Sequence, residues 1–237
     1  MTKKARQAAG ELHVPLDCKT LDKAFKKARK NRTIKTIVVG KGEHRVKKDQ
    51  HGNNFLVVDF PITIRGSGDK TEVVVLGGFM ILEDIQGKVH LHNMTIRHLE
   101  GCGVMGKSSF ALEDVTVDQC MGGVCAGGTS CVAECTNVEV HQCTGSGVAA
   151  VEGGSITMIG VKTTVHHNNT SEASNEFGLA VGGLTSTIQL IHPLTKEIVA
   201  TDNQGGGNWG VPFGDINQIH TIPTSTEETK SSTCRTK

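Results

Sequence analysis

Four segments in the middle of the chain repeat one another at a spacing of twenty-odd residues. They are Val89–Ile96, Phe110–Val117, Ala133–Val140 and Ile156–Thr163, with the anchors Met94, Val115, Val138 and Val161 separated by 21, 23 and 23 residues. Three residues before each anchor stands a second apolar or thiol side chain: Leu91, Leu112, Cys135 or Met158. This period is typical of an array in which each unit buries its apolar face against the next. The chain is therefore predicted to be a solenoid.

The repeating units have the pattern of strands. Apolar and polar residues alternate, as in Val115-Thr116-Val117, and two residues is the period of a strand. A second run follows each segment, at Gly103–Val104, Gly123–Val124, Gly147–Val148 and Gly178–Leu179. The chain has 29 glycines, which favours short strands joined by tight turns. A repeat of about 22 residues with two or three strands fits one coil of a parallel β-helix.

A different pattern precedes the strands. Leu21, Ala24, Phe25 and Ala28 fall at helical spacing, with Lys and Arg on the opposite face. Such a helix is expected to cover the open end of a solenoid core. The predicted division is a flexible arm over 1–16, a capping helix over 17–32, a β-helix of about 7–8 coils over 33–220, and a disordered Thr/Ser/Glu/Lys tail over 221–237.

The opening of the chain resembles a known superfamily. The helix has the form Leu-x-x-Ala-x-x-x-Ala, and Ile62-Thr63-Ile64-Arg65-Gly66-Ser67-Gly68 and a valine-rich strand ending in Gly77-Gly78 follow it. This order is similar to the first coils of right-handed parallel β-helix proteins of the pectin-lyase-like superfamily, and the resemblance covers roughly residues 18–210. It implies an all-β fold. It implies no single activity, because the superfamily includes lyases, hydrolases, epimerases, tailspikes and non-catalytic proteins. The motifs of its pectate lyases, polygalacturonases and alginate epimerases are missing from the sequence.

The composition argues against some classes of binding partner. The formal net charge is +1 and aromatic residues make up 3%, so neither an electrostatic field nor stacking platforms favour nucleic acid. No apolar run is long enough to span a membrane, and no apolar stretch follows the basic start to form a secretory signal. A polysaccharide or a protein partner is expected, and self-association stays open. The cellular location is left open.

Two residue types could have indicated a metal or a cofactor. His90 and His92 share a strand face, but no third ligand follows from the spacing. Among the eight cysteines, Cys120 and Cys143 occupy equivalent positions and Cys135 lies in an inward column. These are interpreted mainly as reduced, packed thiols, with bridges or a metal as the alternative. No cofactor and no metal site are predicted.

The same alignment predicts a charged column on the outside. Arg97, Asp118 and His141 occupy one outward position on successive coils, and His166 continues it if one extra residue is absorbed as a bulge. Adjacent strands are about 4.8 Å apart, so these side chains should pair. An arginine could hold a sugar carboxylate while a histidine moves a proton; the alternative is an exposed ion-pair ladder that contributes little. The next column, His98, Gln119, Gln142 and His167, is expected to turn the corner of each coil.

Two functions follow from these patterns. The leading one is a non-catalytic β-helix scaffold with a structural or attachment role, as a glycan-binding protein or a virion component. The alternative is a polysaccharide lyase or epimerase acting on acidic sugars, with Arg97, Asp118, His141 and His166 as its catalytic residues. The enzyme requires the column to lie in a groove roofed by Ser171–Glu176 or Gln204–Trp209. A flat, open face favours the scaffold.

Overall fold

The computed structural model describes residues 2–212 and 214–223. Its helices are α1 (Lys3–Ala8), α2 (Leu21–Lys30) and α3 (Lys196–Val199), with 3-10 turns η1 (Lys70–Glu72) and η2 (Ile216–Gln218). Its strands are β1 (Glu11–Val14), β2 (Thr36–Val39), β3 (Gly42–Arg45), β4 (Phe55–Val58), β5 (Thr63–Gly66), β6 (Val73–Leu76), β7 (Gly78–Ile81), β8 (Val89–Arg97), β9 (Cys102–Gly106), β10 (Phe110–Asp118), β11 (Gly122–Gly127), β12 (Val132–Thr136), β13 (Glu139–His141), β14 (Val148–Val151), β15 (Ser155–Ile159), β16 (Thr164–His166), β17 (Leu179–Gly182), β18 (Thr187–Ile191), β19 (Ala200–Thr201), β20 (Trp209–Gly210) and β21 (Ile219–Ile222).

The strands form two sheets whose strand order follows the chain. The long sheet runs β1-β2-β5-β8-β10-β12-β15-β18-β21, and β3, β6, β13, β16 and β19 attach beside this path. The second sheet runs β4-β7-β9-β11-β14-β17-β20. Every pairing is parallel. A chain that alternates between two parallel sheets must coil, so the fold is a parallel β-helix, as predicted.

One interior column shows how the coils stack. Leu91 lies opposite Leu112, Leu112 opposite Cys135, and Cys135 opposite Met158. None of these side chains is more than 1% exposed. The column continues through Leu12, Ile37 and Ile64 at one end and Leu190 at the other. Burial of this apolar surface, at about 25 cal/mol per Å², is the main force that holds successive coils together.

The fourth repeat differs from the prediction at its anchor. Val161, expected to stack on Val138, is 74% exposed. The segment that joins β15 to β16 contains two residues more than the preceding coil, because Met158 faces Cys135 while His166 faces His141. Gly160, at φ +85°, turns this segment outward. Thr163 is buried instead and donates its hydroxyl to the carbonyl of Ile159.

The segment expected to be a flexible arm, residues 1–16, contains α1 and β1. Leu12 of β1 faces Ile37 of β2, and both are fully buried. Arg6 of α1 donates to both carboxylate oxygens of Asp17, at 3.1 and 2.9 Å, and Asp17 also accepts the backbone N–H of His13 at 3.0 Å. The expectation fails because a four-residue strand and a six-residue helix give too short a pattern to stand out.

The amphipathic helix lies inside the predicted range. α2 begins after Thr20, whose hydroxyl accepts the backbone N–H of Lys23, and it packs on β1 and β2. Its apolar face is buried, and the ring of Phe25 lies 5.0 Å from that of Phe60. At the other end, β21 crosses the expected boundary at residue 220. Residues 224–237, expected to form a disordered tail, lie outside the described residues.

Candidate functional site

The charged column forms one line on the outer face of the long sheet. Arg97 ends β8, Asp118 ends β10, and His141 and His166 end β13 and β16. Asp118 lies opposite His141, and His141 opposite His166. The structure therefore brings all four predicted residues together. His166 reaches its place through two inserted residues, whereas the sequence suggested one.

Asp118 is the buried centre of the column. Its side chain is 4% exposed, and Arg97 Nε donates to its Oδ2 at 2.7 Å. The other oxygen, Oδ1, lies 3.4 Å from His141 Nδ1 and accepts no hydrogen bond from any described residue. A buried oxygen without a donor is costly. A proton on His141 Nδ1 would face this oxygen and offset the cost.

The two histidines of the column stack on each other. The rings of His141 and His166 are 5.2 Å apart and differ by 1° in tilt. Burial lowers the pKa of His166, and the neighbouring His141 and His167 lower it further. His166 Nδ1 lies 2.9 Å from His167 Nδ1, and its Nε2 lies 3.7 Å from Glu139 Oε1. His166 is therefore neutral near pH 7.

A second ion pair lies beside the column and was missed in the sequence. Glu139 Oε2 lies 3.1 Å from Lys70 Nζ and accepts the hydroxyl of Thr116 at 3.3 Å. Burial acts to raise the pKa of Glu139, but the hydrogen bond and charge of Lys70, together with His141 and Thr116, lower it overall. The strand period could have placed Glu139 on the face of His141, two residues away. Lys70 is 69 residues from Glu139, so no local pattern connects them.

The corners after Asp118, His141, His166 and Thr201 are shaped by a ladder of four side chains, of which the first three are buried: Cys120, Cys143, Asn168 and Asn203. In this ladder, backbone N–H groups of one coil donate to side chains of the next coil. His98 donates to Cys120 Sγ at 3.2 Å, Cys143 to Asn168 Oδ1 at 3.1 Å, and Asn168 to Asn203 Oδ1 at 3.0 Å. The ladder fixes the backbone directly after the column and so positions its outward side chains.

The predicted corner column is only partly formed. Gln119, Gln142 and His167 turn the chain in the left-handed region, at φ 53°, 56° and 54°. His98 differs, because it is 2% exposed and its backbone N–H donates to Cys120 Sγ at 3.2 Å. Its ring nitrogens lie 2.8 Å from the carbonyl oxygen of Cys102 and 2.7 Å from Asn54 Oδ1. His98 therefore belongs to the interior and precedes the ladder.

The seven cysteines within the described residues are unpaired thiols. Cys135 lies in the interior column, where burial raises its pKa to about 12. Cys120 and Cys143 are buried in the ladder; the Cys120 thiol contacts the carbonyl oxygens of Ile96 and Asp118, and the Cys143 thiol that of His141. Within the described residues no three His, Cys, Asp or Glu side chains are grouped so that they could hold a metal ion.

A groove of about 640 Å³ lies on the outer face of the second sheet. Small side chains of β11, β14 and β17 form its floor: Gly122, Cys125, Ala149, Ala180 and Gly182. The loop over 171–176 forms one wall, and Pro212 also lines the groove. Glu176 Oε2 accepts the backbone N–H of Ser146 at 2.9 Å and also the Ser146 hydroxyl. The sequence indicated 171–176 as a loop that could roof a site, but no pattern in it indicated the groove beneath.

The groove and the charged column occupy different faces. None of Arg97, Asp118, His141 and His166 lines the groove. The loop over 171–176 covers the second sheet, while the column is on the long sheet beyond the corner at Gln119 and Gln142. The loop over 171–176, one of the two roofs that the enzyme hypothesis offered, therefore does not cover the charged column.

Comparison with known proteins gives a weak likeness. No family model and no curated protein matches the chain. Among solved structures, the catalytic domain of a GH87 alpha-1,3-glucanase in complex with nigerose is similar with 13% identity and a TM-score of 0.36. A variant of that domain with the same sugar gives 14% identity and the same TM-score. Each match covers 89% of this chain and 45% of the other, so the chain spans less than half of their length. A similarity at this level assigns no activity.

No helix within residues 2–212 and 214–223 is long and apolar enough to cross a bilayer.

Proposed function

We propose that this chain is a non-catalytic β-helix scaffold that presents its side faces to a polysaccharide or a protein partner. The separation of the charged column from the groove carries this proposal. An enzyme must hold its substrate against the groups that react, usually in one water-excluding cleft. Here the acid–base candidates of the charged column lie on one face, and the groove of about 640 Å³ lies on another.

The stacked core supports a scaffold role. The interior column passes through every coil from Leu12 to Leu190, and α2 covers its N-terminal end. Such a rod keeps its outward side chains at fixed spacings, which suits attachment through a repetitive surface.

An assay for unsaturated uronate tests this function directly. The protein is incubated with alginate and with pectate, and ultraviolet absorbance of the released product is followed. Immobilised samples of the same polymers measure binding. We expect retention of the protein on at least one immobilised polymer if its partner is a polysaccharide, and no product release from either polymer. Product release that disappears in His141→Ala, with an unchanged circular dichroism spectrum, would overturn the scaffold proposal.

One observation favours a second candidate, a lyase or epimerase for acidic sugars. Asp118 is buried between Arg97 and His141, and its Oδ1 faces His141 Nδ1. In this candidate, the half-exposed Arg97 guanidinium binds the uronate carboxylate, and His141 Nε2 takes the proton from the adjacent carbon. In a lyase, the electron pair of the broken C–H bond forms the new C=C bond, and the glycosidic oxygen leaves with a proton from water. His166, neutral and stacked on His141, supports the ring.

A further inference from the structure

We propose that the groove on the second sheet binds an elongated aliphatic amine, with its ammonium group at Glu176 and its alkyl chain over the small-residue floor. This inference goes beyond the proposed function, in which the side faces meet a polysaccharide or a protein partner. The occupant is a free small molecule, since the groove has the 300–1,000 Å³ size that is typical of small-molecule sites.

The carboxylate at the groove is held in place before any ligand arrives. Ser146 donates both its backbone N–H and its hydroxyl to Glu176 Oε2. The same hydroxyl accepts the backbone N–H of Phe177 at 3.1 Å, which ties the loop to the start of β17. Both hydrogen bonds that the described residues donate to the Glu176 carboxylate go to Oε2. One oxygen is therefore anchored and the other is available to an incoming donor.

The charge of the groove selects a cation. Glu176 is the sole charged residue among the described residues that line it, since no Lys, Arg or His does so. Burial raises the pKa of Cys102, which also lines the groove, and the nearby Cys143 and Glu176 raise it further. A hydrogen bond between an ammonium group and a carboxylate is about twice as strong as a neutral one. An anionic ligand would instead be repelled.

The floor selects an alkyl chain. Cys125 lies opposite Ala149, and Ala149 opposite Ala180, so these side chains form a line along the solenoid axis. With about 4.8 Å between coils, the line extends over about 10 Å. No aromatic side chain among the described residues lines the groove. Stacking of a sugar ring and a cation–π cage are therefore not offered here, whereas contact with methylene groups is.

Calorimetric titration of the full chain with three ligands of equal length tests the proposal. The probes are n-octylamine, n-octanol and n-octanoate at pH 7, below their aggregation concentrations. We expect the amine to bind about tenfold more tightly than the alcohol and the anion to bind weakest, because one charge-assisted hydrogen bond is gained. Equal affinity for amine and alcohol, or no binding of the amine, overturns the proposal.

Two pairs of variants locate the site. Glu176→Gln is expected to reduce amine affinity about tenfold, to the level of the alcohol, while Glu172→Gln, an exposed carboxylate of the same loop, leaves it unchanged. Ala149→Leu fills the floor and should abolish binding of all three ligands. Ala111→Leu, at a half-buried position on the long sheet, should not. Circular dichroism confirms the fold of each variant, and an unchanged amine affinity in Glu176→Gln contradicts the inference.

The uronate assay separates this inference from the proposed function. If the amine does not bind and no uronate is released, the proposed amine site is refuted and the scaffold proposal is not. If uronate is released and His141→Ala abolishes the release, the scaffold falls whatever the amine does.

Discussion

Replacing Asn168 by alanine should destabilise the protein strongly, because this side chain completes the ladder at a fully buried position. Its Oδ1 accepts the backbone N–H of Cys143 at 3.1 Å. Its Nδ2 lies 3.0 Å from the carbonyl oxygen of Val140, 3.1 Å from that of His166 and 3.0 Å from Asn203 Oδ1. Alanine removes all of these bonds, and the site is too enclosed for bulk water to replace them.

The size of the effect follows from these contacts. A buried N–H left without an acceptor costs about 1–3 kcal/mol, and each net hydrogen bond contributes about 1 kcal/mol. The amide NH2 of Asn168 has only two hydrogens for its three Nδ2 contacts, so the contributions of these contacts do not add fully. We therefore expect a loss of about 3 kcal/mol in the free energy of unfolding, a large part of the 5–15 kcal/mol that is typical of a folded protein.

Urea unfolding followed by circular dichroism measures this loss as a shift in the transition midpoint. The control is Asn175→Ala, an exposed asparagine in the nearby loop, which should change stability by less than about 0.5 kcal/mol. If Asn168→Ala is within about 1 kcal/mol of this control, the ladder does not contribute as its hydrogen bonds indicate.

Other substitutions test the core, the turn and the cap. Leu112→Ala in the interior column should cost about 2–5 kcal/mol in urea unfolding, whereas Val161→Ala, at an exposed position, should be nearly neutral. Gly123→Ala should prevent correct stacking, because its Cβ would lie 2.0 Å from the carbonyl oxygen of the next coil's Gly147; a wild-type melting temperature would refute this. The hydrogen bonds from Arg6 lower the pKa of Asp17 to about 2 from 3.8, so the stability from this pair is present above about pH 4 and is lost as the pH falls through 2. Asp17→Asn should remove about 1–2 kcal/mol at pH 7 and flatten this acid dependence in thermal melts, and an unchanged acid profile would contradict the assignment.

The interior was predictable because its signal repeats. Leu91, Leu112, Cys135 and Met158 stack as their spacing indicates, since each coil imposes the same apolar position on the next. The outward column was predictable for the same reason, because a correct interior register fixes the exterior one. The register failed at Val161, where two extra residues bulge outward and carry no apolar pattern of their own.

The surroundings of the candidate site were less accessible to sequence reasoning. Lys70 approaches Glu139 through η1, from a part of the chain that no local period connects to β13. The groove depends on small outward residues such as Ala149 and on a loop folded over them, and small residues mark neither a core nor a site by themselves. The sequence also did not show that Cys143 and Asn168 are equivalent, because one coil has a thiol at the position where the next coil has an amide.

Because Leu112 and Cys135 occupy equivalent positions on successive coils, one whole coil can be excised without changing the register of the interior. Excision of residues 112–134 would join Ala111 directly to Cys135, so that Leu91 would meet Cys135 and Val104 would meet Val148, each pairing apolar. The rod would shorten by about 4.8 Å with its inside intact. Its outside would not be intact, because Asp118 would leave with the excised segment and Arg97 would become the neighbour of His141. In a β-helix, removing or adding one coil therefore changes the length of the rod and its outward side chains together.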